Sequence, residues 1–91
     1  MIALESRPTR ADWVLAQPSA ETLILLNPES GQYYTLDEVG ARIWDLCDGS
    51  RQVTDLVSTI HAEFDAPVAE IRADLMELLD DLAHDKLVAV S

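Results

Sequence analysis

Residues that could do chemistry are few in this sequence, and their spacing gives them no shared site. The histidines, His61 and His84, stand far apart, and each is more simply explained as a helix surface residue than as a base or metal ligand. The single cysteine, Cys47, falls on an apolar helix face beside Asp45 and Asp48, whereas a reactive thiolate needs a cationic neighbour. We therefore expect no catalytic residue and a protein that is not an enzyme.

The sequence also lacks the patterns of metal and cofactor sites. The adjacent carboxylates Asp80 and Asp81 would point apart on a helix, and no EF-hand spacing occurs. A chain with three glycines carries no glycine-rich phosphate loop. We expect neither a bound metal nor a cofactor.

Charge restricts the possible partners. The 91 residues include 17 acids and six bases, which give a formal net charge of -11. Because this charge repels phosphate, neither nucleic acid nor an anionic membrane is expected as a partner. A cationic or apolar partner would fit, although solubility alone is a simpler explanation of the excess acid.

Length and composition predict one globular domain in the cytoplasm. The chain is 48% hydrophobic and 25% charged, which is typical of a folded protein. A single cysteine excludes an internal disulfide, and the sequence shows neither a signal peptide nor an apolar stretch that could cross a bilayer. We predict a flexible segment over residues 1–10 and a single domain over residues 11–91.

The elements that must position any site begin with three predicted strands. Turn residues separate them, Pro18 and Ser19 first and then "NPESG" over residues 27–31. The predicted strands cover residues 12–17, 21–27 and 32–36. Short turns favour an antiparallel meander, with the third strand at an edge unless a later segment covers it. This strand carries Tyr33 and Tyr34 and no charge that would discourage pairing with another strand.

Three helices are predicted after the meander. Asp37 is a suitable N-cap for the first, which ends at "DGS" over residues 48–50. The second begins near residues 52–54 and ends at "DAP", and the third covers residues 68–84. The last residues, "KLVAVS", form an extended tail or a short strand. The predicted fold is α+β, a winged helix-turn-helix-like domain with a three-stranded antiparallel sheet followed by three helices.

The third helix has an apolar arc wider than one neighbour needs. Its core stripe and its solvated stripe lie on opposite faces. The core stripe comprises Val68, Ile71, Leu75, Leu78 and Leu82, and the solvated stripe comprises Glu70, Asp74, Glu77 and Asp81. Beside the core stripe lies a shoulder of Ala69, Arg72, Met76, Leu79 and Ala83. We expect another element or partner to pack against this shoulder.

DNA binding is disfavoured even though winged folds can bind DNA. A recognition helix in the major groove needs lysine or arginine. The third helix offers only Arg72 among five acids between Glu70 and Asp81.

Together these elements resemble the PqqD-like peptide chaperones, also called RiPP recognition elements. The resemblance covers residues 25–90 and depends on three stretches. They are "YYTLDEVGARIW" over residues 33–44, "LCDG" with "SRQVTDLV" over residues 46–57, and "LMELLDDLAHDKLV" over residues 75–88.

The resemblance implies a three-helix winged fold that binds the leader segment of a ribosomally made precursor peptide. Such a protein presents the leader to a maturation enzyme, which could be a radical SAM enzyme, a protease or a cyclase. The leader adds a strand to the third strand and packs against the third helix. The implied contacts are Gln32, Tyr33, Tyr34, Thr35 and Leu36 on the strand and Arg72, Leu75, Met76, Leu79 and Ala83 on the helix.

Two questions stay open at this point. "LCDG" is typical of the pyrroloquinoline quinone chaperone, whereas "SGQYYTLDEVGARIW" fits recognition proteins of lasso-peptide pathways equally well. An alternative function is a winged-helix dimerisation or regulatory module, in which the shoulder contacts a second copy.

Overall fold

The computed structural model describes residues 2–90. Across these residues, three helices and five strands form one packed unit with two antiparallel sheets. In chain order the elements are β1 (Pro8–Arg10), β2 (Leu15–Ser19), β3 (Thr22–Leu26), β4 (Tyr33–Leu36), α1 (Glu38–Leu46), α2 (Val53–Glu63), α3 (Val68–His84) and β5 (Val88–Val90). The predicted α+β fold, a three-stranded antiparallel sheet followed by three helices, is confirmed.

The larger sheet has the spatial order β2, β3, β4, so β4 lies at an edge as predicted. Its first turn differs from the prediction, because β2 extends through Pro18 and Ser19 and the chain reverses at Ala20 and Glu21. Pro18 is tolerated in this strand because β2 is itself an edge.

The hairpin between β3 and β4 is organised by the buried side chain of Asn27. Its Oδ1 accepts hydrogen bonds from the Glu29 and Ser30 amides at 2.9 and 3.2 Å. The backbone N–H of Asn27 donates to the Gln32 carbonyl at 2.8 Å. Gly31 adopts the left-handed conformation that closes the turn. These bonds fix where β4 starts.

α1 follows β4 with only Asp37 between them. The Asp37 Oδ1 accepts from the Gly40 amide at 2.8 Å, which confirms the predicted N-cap. The free edge of β4 and the amino end of α1 therefore adjoin one another.

Two apolar clusters form the core. The first joins the three helices and includes Ile43, Leu56 and Leu79. The second lies between the larger sheet and α3 and includes Leu25, Trp44 and Leu82. Both α1 and α3 contribute to the two clusters, so these two helices join the larger sheet to the helical part of the core.

The amino-terminal residues depart from the prediction of a flexible segment. β1 pairs with β5, and Ile2 lies in the helical cluster with 5% of its surface exposed. The Arg10 guanidinium donates to the carbonyls of Trp44 and Asp45 at the end of α1, whose own last turn has no basic residue. Residues 2–10 are thus part of the packed domain, and a boundary at residue 11 is not seen. Met1 and Ser91 lie outside the described residues.

Candidate functional site

The free edge of β4 presents the backbone groups of Tyr33 and Thr35. Antiparallel pairs alternate between those that exchange hydrogen bonds and those that do not. The Asn27 amide bonds the Gln32 carbonyl, so the ladder to β3 passes through Gln32, Tyr34 and Leu36. The intervening residues direct their N–H and C=O groups away from β3, and no other strand among residues 2–90 pairs with them. An extended peptide could satisfy these groups.

Side chains divide the strand between two faces. Tyr33 is 68% exposed and Thr35 is also exposed, both on the outer face of the sheet. Leu36 is buried in the second cluster and Tyr34 is half-buried against it. A strand added at this edge would therefore alternate its own side chains between the outer face and the side that faces α3.

A cleft of about 460 Å³ opens at the end of β4, between α1, α2 and α3. Its apolar lining includes Leu36, Val39, Phe64, Ile71 and Leu78, and its polar lining consists of Thr35, Asp37, Glu70 and Asp74. The cleft is contiguous with the free edge because Thr35 belongs to both. An added strand would meet the cleft beside Thr35 and Leu36.

The other end of β4 is joined to the end of α3. The Tyr34 hydroxyl donates to Asp85 Oδ2 at 2.8 Å. Burial raises the pKa of the Tyr34 phenol above its usual 10.0, and the hydrogen bond and charge of Asp85 and the charge of Asp81 raise it further. This contact ties β4 to the carboxyl end of α3.

The predicted strand residues lie in or next to β4. Gln32, Tyr33, Tyr34, Thr35 and Leu36 all belong to the hairpin end or to β4 itself. Only Tyr33 and Thr35 offer free backbone groups, a distinction that follows from the ladder register rather than from residue type.

The predicted helix residues lie elsewhere. Leu75 and Leu79 are fully buried and do not line the cleft. Met76 and Ala83 are partly buried and pack against the first cluster. Arg72 is exposed but does not line the cleft. The carboxyl-terminal part of the shoulder is therefore buried or half-buried against the chain's own core, whereas its amino-terminal part is exposed.

The face of α3 that lines the cleft runs through Glu70, Ile71, Asp74 and Leu78. The sequence patterns did not predict that this face of α3 would line the cleft. Periodicity assigned these residues to the core and solvated stripes, because it cannot tell which edge of a stripe meets the sheet. One signal was present, since Leu78 is an apolar residue within the acidic row of Asp74 and Asp81 at helical spacing.

Neither cysteine nor histidine lines the cleft. Burial raises the pKa of the Cys47 thiol to about 12, so it stays protonated at neutral pH. Across residues 2–90, histidine, cysteine and carboxylate side chains do not gather into a group that could hold a metal ion. Within the same range, none of the helices has the length and apolarity that a membrane span requires.

Comparison with known proteins assigns the family. The family described as Coenzyme PQQ synthesis protein D (PqqD) matches residues 22–88. The chain belongs to the PqqD family. The "PqqA binding protein" of Xanthomonas axonopodis pv. citri (strain 306) is 36% identical over 89 residues, which are 96% of this chain and 95% of that protein. The protein of the same name from Rhodopseudomonas palustris (strain HaA2) is 35% identical over 82% of this chain and 62% of its own length.

Two solved structures have a similar fold. The structure "TbiB1 in Complex with the TbiA(beta) Leader Peptide" aligns with a TM-score of 0.75 at 30% identity, over 88% of this chain and 93% of that one. "Lasso peptide synthetase B1 complexed with the leader peptide" aligns with a TM-score of 0.77 at 16% identity, over 91% and 98% of the two chains. The latter likeness concerns the fold alone. The matched residues 22–88 include β4, the cleft and all three helices.

Proposed function

We propose that this PqqD-family protein is a non-catalytic peptide chaperone that binds the leader segment of a ribosomally synthesised precursor. The observation that carries the proposal is the unpaired edge of β4, which lies beside a preformed cleft. The names of its relatives support it, since they are PqqA binding proteins and a protein solved with a leader peptide.

The leader binds as a fourth strand on β4. The N–H and C=O groups of Tyr33 and Thr35 supply main-chain hydrogen bonds, which give affinity without reading the peptide sequence. Alternate side chains of the leader enter the cleft against α1 and α3, and these contacts supply selectivity. The Tyr34–Asp85 hydrogen bond ties β4 to the carboxyl end of α3 before the peptide arrives.

The partner beyond the leader is a maturation enzyme, a radical SAM enzyme, a protease or a cyclase. A strand on β4 leaves its outward side chains and its flanking residues accessible, so an enzyme can act on the precursor while the leader is held. We place the protein in the cytoplasm, where ribosomal precursors are made. The pathway is that of pyrroloquinoline quinone or of a lasso peptide or related product.

The alternative, a dimerisation or regulatory module, needs the shoulder of α3 as a contact surface. In the structure Leu79 is buried, and Met76 and Ala83 pack against the cluster that contains Ile2. This part of the shoulder is therefore packed within one chain, and no observation favours this alternative over leader binding.

A selection experiment tests the proposal. A random-peptide display library is selected against the protein at physiological salt, and enriched peptides are titrated by fluorescence anisotropy. We expect saturable one-to-one binding and loss of the same peptides on the Thr35→Pro variant, which lacks an outward amide. Enrichment of the same peptides on both proteins would contradict binding at β4. Titration with PqqA and with the TbiA(beta) leader peptide then discriminates between the pathways.

A further inference from the structure

The cleft beside β4 combines an apolar floor with a rim of carboxylates. Leu36, Ile71 and Leu78 are among its apolar residues, and Glu70 and Asp74 stand exposed on the α3 side. The lining contains neither lysine nor arginine. The ion pairs Arg42–Glu63 and Arg51–Asp48 do not involve the carboxylates of this rim.

The same row of charge continues along α3 towards the start of β4. Asp81 is exposed and contributes to the electrostatic environment of Tyr34. The one arginine of α3, Arg72, does not line the cleft. A peptide strand on β4 would therefore meet negative charge along its inward side and the uncharged residues Tyr33 and Thr35 along its outward side.

An apolar floor under a carboxylate rim fits one kind of side chain closely. Lysine and arginine have long aliphatic stems that pack on apolar surface while their charged heads stay at its margin. On the assumption of the proposed function, we infer that the leader carries a lysine or arginine at the inward position opposite Leu36. Its stem lies against Leu36 and Leu78, and its head lies between Glu70 and Asp74.

Side-chain alternation makes the inference specific. Residues directly opposite Tyr34 and Leu36 point inward, and residues opposite Tyr33 and Thr35 point to the outer face. A general attraction between a protein of net charge -11 and basic peptides would not distinguish these positions. The cleft distinguishes them, so basic residues belong at inward positions and are not required at outward ones.

The test uses peptides enriched from the random display library and two charge-reversal variants. Asp74→Lys changes the rim of the cleft, whereas Asp80→Lys makes the same charge change on the side of α3 that contains Ala83 and His84. We expect Asp74→Lys to weaken an enriched basic peptide about tenfold or more, and Asp80→Lys to weaken it about twofold at most. Replacing the inward lysine of the peptide by glutamate should restore binding to Asp74→Lys, and circular dichroism confirms that both variants fold.

The outcomes separate this inference from the proposed function. Amide hydrogen exchange shows whether an enriched peptide binds along β4. Enriched peptides that slow exchange of the β4 amides but lack basic residues at inward positions would overturn the inference and leave leader binding intact. Equal losses with Asp74→Lys and Asp80→Lys would likewise overturn it, because only net charge would then matter. Peptides that leave the β4 amides unprotected would overturn both.

Discussion

The two edges of the larger sheet differ in how readily each could pair with another strand. On β2, Pro18 lies opposite Leu23, whose backbone N–H and C=O groups point towards β4. The backbone of Pro18 therefore points away from β3 to solvent, and proline has no N–H to offer there. Proline at an edge discourages further pairing. On β4, Tyr33 and Thr35 each present both a backbone N–H and a C=O at the free edge, and neither side chain is charged.

The surroundings of the two edges differ as well. Every residue of β2 is exposed, whereas β4 runs beside the cleft formed with α1 and α3. A sheet that blocks one edge and leaves the other open next to a preformed cleft is arranged to accept a strand at one place only. Variants at each edge and at the Tyr34–Asp85 contact test this asymmetry.

The largest effect is expected inside the ladder. Tyr34→Pro removes a donor to β3 and the hydrogen bond to Asp85, so the free energy of unfolding should fall by about 3 kcal/mol. Urea unfolding followed by circular dichroism measures it. A variant as stable as the parent would show that the register places Tyr34, rather than Thr35, at the free edge.

Closing the free edge should abolish binding without unfolding the protein. Thr35→Pro removes an outward amide that β3 does not use, so affinity for an enriched peptide should fall about tenfold or more while the free energy of unfolding changes by about 1 kcal/mol or less. Ala16→Pro is the matched control, because Ala16 holds the corresponding outward position on β2. Equal losses of affinity in both variants would remove the distinction between the edges.

Opening the blocked edge should produce weak association. Pro18→Thr restores an outward amide on β2 and adds a residue favourable in strands, so the apparent mass should rise with protein concentration. Light scattering across a concentration series measures this rise. A Pro18→Thr protein that stays monomeric at concentrations where the parent does would show that Pro18 does not protect the edge.

The smallest effect concerns the contact that aligns β4 with α3. The pKa of Tyr34 is raised in the folded protein, so the stability that its neutral phenol contributes is complete below pH 10 and declines as the pH rises beyond 10. Tyr34→Phe should cost about 1 kcal/mol at neutral pH. It should also make the decline shallower, as measured by urea unfolding at about pH 8 and about pH 11. A parent and variant with the same slope would contradict this role for Tyr34.

The sequence was sufficient for the three-stranded meander and the three helices, but not for β1 or for the orientation of the elements. Alternation, turn residues and the Asp37 cap are local signals, and they predicted the meander, the open edge and the three helices. The face of α3 that meets β4 depends on how the helix is rotated against the sheet, and no local pattern encodes that rotation. Met76 and Ala83 of the shoulder pack against a cluster that also contains Ile2, from the other end of the chain, and periodicity within α3 could not indicate this.

Amide hydrogen exchange measured by NMR tests strand addition at β4 most directly. The protein is compared with and without a saturating enriched peptide, and the amides of Tyr33, Tyr34 and Thr35 are followed individually. We predict that the amides of Tyr33 and Thr35 become protected on binding, while the Tyr34 amide is protected in both states because it bonds β3. Saturable binding that leaves the Tyr33 and Thr35 amides exchanging as fast as in the free protein would contradict strand addition at β4.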